Sequence, residues 1–204
     1  MNSGLDDSQL LRVKKLGEAA EAKVLVALKK LPIPWQVFNT VEWRKTGYHG
    51  EEVGEADIVL FHPQYGVVVF EIKAGQVHIT DGVWFYASGR PMKQSPFSQA
   101  RRNRFALIEK LEKRLGKTTV EHLTITHAVW FPDVRWPKPL VIAEAPSSQF
   151  VFDRNSLANP LPQIEKMFAE IKQALSPVWT KIQQNALKEL LAPDCLLLVP
   201  LANA

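Results

Sequence analysis

Two different spacings of apolar residues follow one another along the chain and predict its helices and strands. Apolar residues recur at helical spacing from about residue 8 to Leu31, where Pro32 ends the pattern. Shorter apolar runs predict a strand at 35–41, a hairpin at 58–61 and 67–72, a second hairpin at 77–80 and 83–86, and strands at 124–131 and 140–142. The polar residues 42–54 contain three glycines and predict a loop.

Helical spacing returns in three later segments, at 96–115, 161–175 and 178–191. Ser95-Pro96 is typical of a helix start, and Gly116 of a helix end. We expect the helix between them to bury Phe105, Ile108, Leu111 and Leu115. A helix, several strands, a helix and a further strand, in that order, predict an α/β sandwich in which helices flank a central mixed β-sheet.

Composition is that of an ordinary globular protein. The chain has 204 residues, of which 46% are hydrophobic and 23% are charged, enough for one well-filled domain. Its single cysteine, Cys195, forms no internal disulfide and fits a reducing compartment. The N-terminus lacks the basic start and apolar core of a signal peptide, and no apolar run approaches the ~20 residues that cross a bilayer. These features predict a cytoplasmic protein.

Positive charge is concentrated in one segment. Residues 90–117 carry nine basic and only two acidic side chains, whereas the flanking segments are close to neutral or slightly acidic. The basic residues are Arg90, Lys93, Arg101, Arg102, Arg104, Lys110, Lys113, Arg114 and Lys117. Such a stripe favours binding to a nucleic-acid backbone, although a solvated helix face is the alternative.

Candidate chemistry lies at the end of the first predicted hairpin. If this hairpin is symmetric about Gln64, Asp57 lies opposite Glu71, ~5 Å away on the same face as Lys73. Two carboxylates and a lysine in this arrangement can hold a divalent metal beside a phosphodiester. A solvated ion pair at a strand end is the alternative, but the strand before Glu71 is apolar on both faces, and buried charges need a partner or an ion. The five histidines show no spacing typical of zinc ligands.

Several motifs occur in a fixed order around this hairpin. They are Gly17-Glu18, Gly54-Glu55-x-Asp57, Gly66-Val67-x-Val69-x-Glu71-x-Lys73, Pro96-Phe97-x-Gln99-Ala100 and Ala128-Val129-Trp130-Phe131-Pro132. Together they resemble the nuclease-related domain, NERD, a branch of the PD-(D/E)XK restriction-endonuclease-like fold. The resemblance covers about residues 10–150. It implies a nuclease-like domain at 8–155, folded as a restriction-endonuclease-like sandwich, and a C-terminal helical extension or linker at 156–204.

The resemblance also implies roles for individual residues. Asp57 and Glu71 would bind Mg²⁺, with the backbone carbonyl of Ile72 as a further ligand and Mn²⁺ as a substitute. Lys73 would orient or activate the attacking water and neutralise phosphate charge.

Two further residues are implied by the family pattern. Glu18 would complete the acidic shell from the first helix, and Gln99 would support the site or approach the substrate. Without the resemblance, Glu18 could equally be a solvated surface acid, and Gln99 could simply support the start of its helix.

Binding of the nucleic acid is expected from the basic helix. Arg101, Arg102, Arg104 and Lys113 would grip the backbone with little reading of sequence. Trp43, Tyr48 and Trp84 could stack on bases, although packing in the core or at its rim is the commoner use of large aromatic residues.

The predicted function is that of a Mg²⁺-dependent deoxyribonuclease in DNA repair or processing. The alternative is a DNA-binding module with little or no cleavage that tethers a helicase, since many family members are fused to one. The chain itself contains no Gly-x-x-x-x-Gly-Lys-Ser/Thr phosphate loop. RNA as the substrate stays open, because a basic stripe would suit either polymer.

Overall fold

A computed structural model describes residues 7–47, 50–137, 142–171 and 177–191, with side chains left undescribed at residues 7, 9–10 and 40–53. The helices are α1 (Asp7–Leu28), α2 (Pro96–Leu115), α3 (Lys117–Glu121), α4 (Leu161–Ile171) and α5 (Lys181–Leu191). The strands are β1 (Gln36–Gly47), β2 (Gly50–His62), β3 (Gly66–Ile72), β4 (Val77–Thr80), β5 (Val83–Tyr86), β6 (Ile125–Trp130) and β7 (Val151–Phe152).

The central sheet is mixed. Its strand order is β1-β2-β3-β6-β7, in which the first three strands are antiparallel neighbours and β6 and β7 join in parallel. Strands β2 and β3 pair Ile58 with Phe70 and His62 with Gly66, so the hairpin is symmetric about Gln64 as the sequence predicts. The α/β sandwich expected from the order of elements is therefore the observed fold.

Helices cover both faces of this sheet. Even-numbered residues of β2 and β3, such as Ile58 and Phe70, lie in a core with α1 and α4. Odd-numbered residues, such as Val59 and Val69, lie in a second core with α2 and α5. Residues 67–72 of β3 are buried throughout, which explains why that strand is continuously apolar up to Glu71.

The second hairpin and α2 follow the local signals closely. Asp81 and Gly82 both have positive φ, 50° and 76°, as a tight Asp-Gly turn requires. Ser95 caps α2 by accepting a hydrogen bond from the Ser98 backbone amide at 3.0 Å. The two elements therefore begin and turn where the sequence predicts.

The loop predicted at 42–54 is wrong at 42–47 and 50–54, where β1 and β2 extend and pair with each other, while 48–49 lie outside the described residues. Main-chain pairing between two strands does not require apolar side chains, so the hydrophobic pattern does not predict a polar strand that contains glycines. The first helix also ends earlier than expected, at Leu28 rather than Leu31.

The buried face predicted for α2 is wrong at one position. Leu111 is buried and Ile108 and Leu115 are partly buried, but 52% of Phe105 is exposed. The stripe that faces the sheet instead contains Asn103 and Leu107. Each is two residues from Phe105 in the sequence and therefore lies on the opposite side of the helix.

Two predicted elements fall partly outside the described residues. The strand predicted at 140–142 includes residues 140 and 141, and the helix predicted at 161–175 is described to Ile171. The helix expected from residue 178 begins at Lys181.

Strand β7 forms the parallel edge of the sheet, a position that the sequence did not indicate. No helix among the described ranges is both long and apolar enough to cross a membrane.

Candidate active site

Strands β2 and β3 bring Asp57 to the buried end of the sheet. The pairing of β2 with β3 ends at Ile58 and Phe70, one residue before Asp57 and Glu71. The backbone amide of Ile72 donates a hydrogen bond to Asp57 Oδ2 at 2.6 Å. Asp57 is thereby fixed beside the chain segment that carries Glu71 and Lys73.

Lys73 links two of the predicted site residues. Its ammonium group donates hydrogen bonds to Glu71 Oε1 at 2.6 Å and to Gln99 Oε1 at 2.9 Å. The Gln99 amide in turn donates to the carbonyl of Gln94 at 3.0 Å, which orients its oxygen toward the lysine. The backbone amide of Lys73 donates to the Trp130 carbonyl at 3.0 Å, so β6 holds the residue in place.

Asn103 is a site residue that the sequence analysis missed. It is 1% exposed, and its Nδ2 donates to the Glu55 carbonyl at 2.7 Å and to Glu71 Oε2 at 3.2 Å. Asn103 lies one helical turn after Gln99, in the stripe of α2 that faces the sheet. A polar residue inside that otherwise apolar stripe was the signal that could have revealed it.

Burial and mutual repulsion set the charge states of the carboxylates. Burial and then the charge of Glu71 raise the pKa of Asp57 to about 8, against the opposing effects of the Ile72 amide and Lys73. Burial also raises the pKa of Glu71, although Lys73 opposes this. Burial alone would lower the pKa of Lys73, but Glu71 and then Asp57 reverse the direction and raise it. Lys73 is therefore an ammonium ion at neutral pH.

Helix α1 contributes Glu21 to this cluster. Burial and then the nearby Glu55, Glu18 and Glu71 raise the pKa of Glu21, and Glu21 in turn helps to raise that of Asp57. The predicted residue Glu18 is a surface side chain, 62% exposed and 4.0 Å from Lys14. Successive residues of a helix are turned by ~100°, so Glu21 borders the buried stripe of α1 and Glu18 lies on the side away from it. This periodicity is the sequence signal that favours Glu21 over Glu18 as a site residue.

The donor set fits a hard divalent cation. Asp57, Glu71 and the Ile72 carbonyl offer oxygen ligands, and Mg²⁺ needs few of them because it retains several waters. A cation would also relieve the repulsion that raises the pKa of Asp57. The buried Asn103 Oδ1 has no hydrogen-bond partner among the described residues and could accept a bond from a metal-held water. Within the described ranges no group of three or more His, Cys, Asp or Glu side chains could hold a metal, so the two carboxylates would need a backbone carbonyl and waters as the other ligands.

The four predicted nucleic-acid contacts differ in their surroundings. Arg101 and Arg102 are exposed near the start of α2, and Arg102 lowers the pKa of Glu71. Arg104 is partly buried with its guanidinium 4.5 Å from the centre of the Phe105 ring. Lys113 lies further along the helix, 3.1 Å from Glu109. Of the four, Arg102 therefore lies close to the carboxylates.

Of the three aromatic residues considered for base stacking, Trp84 belongs to the core. It is 3% exposed and stacks on Phe131 and Trp136 with ring centres 5.5 and 6.1 Å apart. Its indole nitrogen donates to Glu144 Oε2 at 3.0 Å. Packing, the commoner use of such a residue, is thus its role, while the side chains of Trp43 and Tyr48 lie outside the described residues.

A mixed sheet flanked by helices, with an Asp and a Glu-x-Lys motif meeting on neighbouring strands, defines an α/β sandwich of the nuclease type. The chain belongs to the nuclease-related domain (NERD) family, whose model matches residues 16–132. Membership indicates a nuclease-related function that involves nucleic acid. Neither a curated protein nor a solved structure matches the chain.

Proposed function

We propose that this protein hydrolyses phosphodiester bonds in DNA with Mg²⁺, for which Mn²⁺ can substitute, and that it acts in DNA repair or processing. The observation that carries the proposal is the position of the Lys73 ammonium, 2.6 Å from Glu71 and 2.9 Å from Gln99, directly after Ile72, whose amide binds Asp57. Lys73 compensates Glu71, and the repulsion between the two carboxylates leaves Asp57 to be neutralised by a proton or by a bound cation. Family membership supports the same function.

Asp57, Glu71 and the Ile72 carbonyl are the proposed ligands of the metal. A bound Mg²⁺ supplies Lewis acidity to a phosphoryl oxygen and lowers the pKa of water. The amide of Ile72 orients the carboxylate of Asp57, and Asn103 orients that of Glu71. These two hydrogen bonds fix both carboxylates before a ligand arrives.

Lys73 acts through its positive charge in this proposal. Because its pKa is raised, it keeps its proton at neutral pH and is no general base. It donates hydrogen bonds to the attacking water or to a phosphoryl oxygen and so stabilises the charge that develops on phosphorus. Gln99 holds the ammonium in position for this contact.

Arg101 and Arg102 are proposed to bind the phosphates on either side of the reacting one. Both are exposed on the first turns of α2, near the residues that contact Lys73. Arg104 and Lys113 would extend the same positive surface along the helix. A helicase partner and a cytoplasmic location belong to this proposal as well.

The experiment is cleavage of labelled single- and double-stranded DNA, and of RNA of the same sequence, with Mg²⁺, Mn²⁺ or EDTA. We expect metal-dependent cleavage of DNA that falls by ~10²–10⁴-fold in Lys73→Ala and Glu71→Gln, with binding retained. Lys166→Ala, an exposed cation on α4, is the matched control and should cleave normally. Binding without cleavage under either metal would overturn the proposal in favour of a DNA tether, and cleavage of RNA alone would overturn the choice of DNA.

A further inference from the structure

Two cavities join into a groove that begins at the candidate site. The first, of about 520 Å³, is bounded by Tyr86, Arg90, Pro91, Lys93, Gln94, Gln99 and Arg102. The second, of about 1000 Å³, lies between the β4–β5 hairpin and the first half of α2. Lys93, Gln94 and Arg102 line both cavities, so the two adjoin. We call the combined space the α2 groove.

The α2 groove is suited to a polyanion. Its cations are Arg90, Lys93, Arg101 and Arg102, and the first cavity is lined by no acidic residue among those described. The second cavity has two acidic residues, and each is engaged: Glu109 with Lys113, and Glu144 with the Trp84 indole. The net positive lining would attract phosphates along the whole length of the groove.

Phe105 gives the groove an aromatic surface. This side chain lines the second cavity, is 52% exposed and carries the Arg104 guanidinium 4.5 Å from its ring centre. Val83, on the facing hairpin, is also exposed and lines the same cavity. An exposed ring among cations is the arrangement that stacks on unpaired bases, whereas a duplex presents its phosphates and keeps its bases paired inside.

The groove is connected to the candidate site through Gln99. This residue lines the first cavity and accepts the hydrogen bond from Lys73. A strand lying in the groove would therefore pass beside Gln99, which is one hydrogen bond from the lysine.

We propose that the α2 groove binds a single-stranded segment of DNA adjacent to the phosphate at the site, with a base stacked on Phe105 and phosphates bound by Lys93 and Arg102. This inference rests on the proposed function, because it names the form of substrate that the same site would take.

The test measures binding of a fluorescent single-stranded oligonucleotide, and of the matching duplex, by the full chain in EDTA, so that cleavage does not interfere. Phe105→Ala should weaken single-strand binding by about 5- to 100-fold and duplex binding much less. Lys93→Ala should lower the salt dependence of single-strand binding by about 0.7 in the log–log slope. Ile182→Ala, which removes another exposed apolar side chain on α5, and Lys166→Ala are the matched controls.

Equal weakening of single-strand and duplex binding by Phe105→Ala, or no change in either, would overturn the inference. Thermal unfolding of each variant shows that the loss is one of binding, and Phe105→Tyr should restore it because it retains a ring. The two proposals can fail separately. If Phe105→Ala selectively weakens single-strand binding but the protein never cleaves, the nuclease proposal is refuted and the groove is kept. If the protein cleaves and Phe105→Ala leaves that cleavage unchanged, the groove is refuted and the nuclease proposal is kept.

Discussion

At the residue scale, Asp57 lies between groups that shift its pKa in opposite directions. Burial and the charge of Glu71 raise the pKa, while the Ile72 amide and Lys73 lower it, and the outcome is a value of about 8. The carboxyl group is therefore largely protonated near neutral pH when no cation is bound. A divalent cation would have to displace this proton.

This raised pKa predicts how stability depends on pH. Between the unfolded pKa near 4 and the folded value of about 8, the folded chain holds a proton that the unfolded chain has lost. Stability should therefore be greatest at the acidic end of this window and fall as pH rises to about 8. Asp57→Asn should flatten the profile, measured by urea unfolding from pH 5 to 9, and an unchanged slope would contradict the shift.

The stabilisation by Mg²⁺ should increase with pH, opposite to the pH dependence of the stability of the metal-free protein. Because the ligand carboxylate must be deprotonated, added Mg²⁺ should raise the melting temperature more at pH 8.5 than at pH 6. The measurement is thermal unfolding with Mg²⁺ or EDTA at both pH values. Asp57→Asn should remove most of the increase, and an equal increase in the variant would place the cation elsewhere.

Asn103 offers a second prediction at this scale. Its amide satisfies the Glu55 carbonyl and one oxygen of Glu71, both in the interior beneath α2. Asn103→Leu would leave these acceptors without their donor and should cost ~1–3 kcal/mol of unfolding free energy, together with activity. Urea denaturation checks the value, with Asn155→Leu in the turn before α4 as a control for loss of an asparagine outside the site.

At the scale of elements, the β2–β3 hairpin positions the site and depends on the close approach of Gly66 to β6. Gly66 has φ +116°, and a Cβ built there would lie 2.3 Å from the carbonyl oxygen of Thr124. Val67 donates a hydrogen bond to that same carbonyl at 2.9 Å. The start of β3 thus meets the residue before β6 backbone to backbone, and the pairing of β2 with β3 begins at this point.

Gly66→Ala should therefore destabilise the protein by about 2–4 kcal/mol, because it combines backbone strain with a steric overlap. Gly82→Ala is the matched control: its φ is also positive, at 76°, but its Cβ would meet no atom within 4 Å. The control should cost only about 1–2 kcal/mol. Equal losses in the two variants, measured by urea unfolding, would show that the contact with Thr124 is unimportant.

At the scale of the whole molecule, the segment after residue 155 packs against both faces of the sheet. Ile164, Met167 and Phe168 of α4 are buried in the core shared with α1. Trp179 and Leu187 are buried in the core beneath α2, where Trp179 meets the Phe61 ring at 5.1 Å. The boundary predicted at 155/156 stays a prediction, but the helices beyond it contribute to the same two cores.

Trp179→Ala tests how far the C-terminal segment stabilises the domain. The indole is 2% exposed, so its loss should cost about 3–5 kcal/mol. Ile182→Ala, at a side chain that is 76% exposed, should change stability by less than ~0.5 kcal/mol. A cost for Trp179→Ala as small as that of the control would mean that this segment behaves as a linker.

Local signals in the sequence predicted much of the fold and part of the candidate site. The hairpin symmetric about Gln64, the α2 start at Ser95-Pro96 and the mixed sandwich were confirmed. That Asp57 lies directly opposite Glu71 stays a prediction, because the strand pairing ends at Ile58 and Phe70, but the Ile72 amide does hold Asp57 beside this segment. The family resemblance adds the roles of Lys73 and Gln99. The motifs on which it rests, and their order, are also present in the sequence itself.

Only the tertiary structure decided the features that depend on which surfaces meet. Helical periodicity places Glu21 beside the buried stripe of α1, but its proximity to Glu55 and Glu71 follows only from how α1 packs on the sheet. Asn103 becomes a site residue through its contacts with β2 and β3, and Phe105 becomes exposed for the same reason. Periodicity along one segment finds an apolar face, but long-range packing determines what that face, and the polar residues at its edge, will contact.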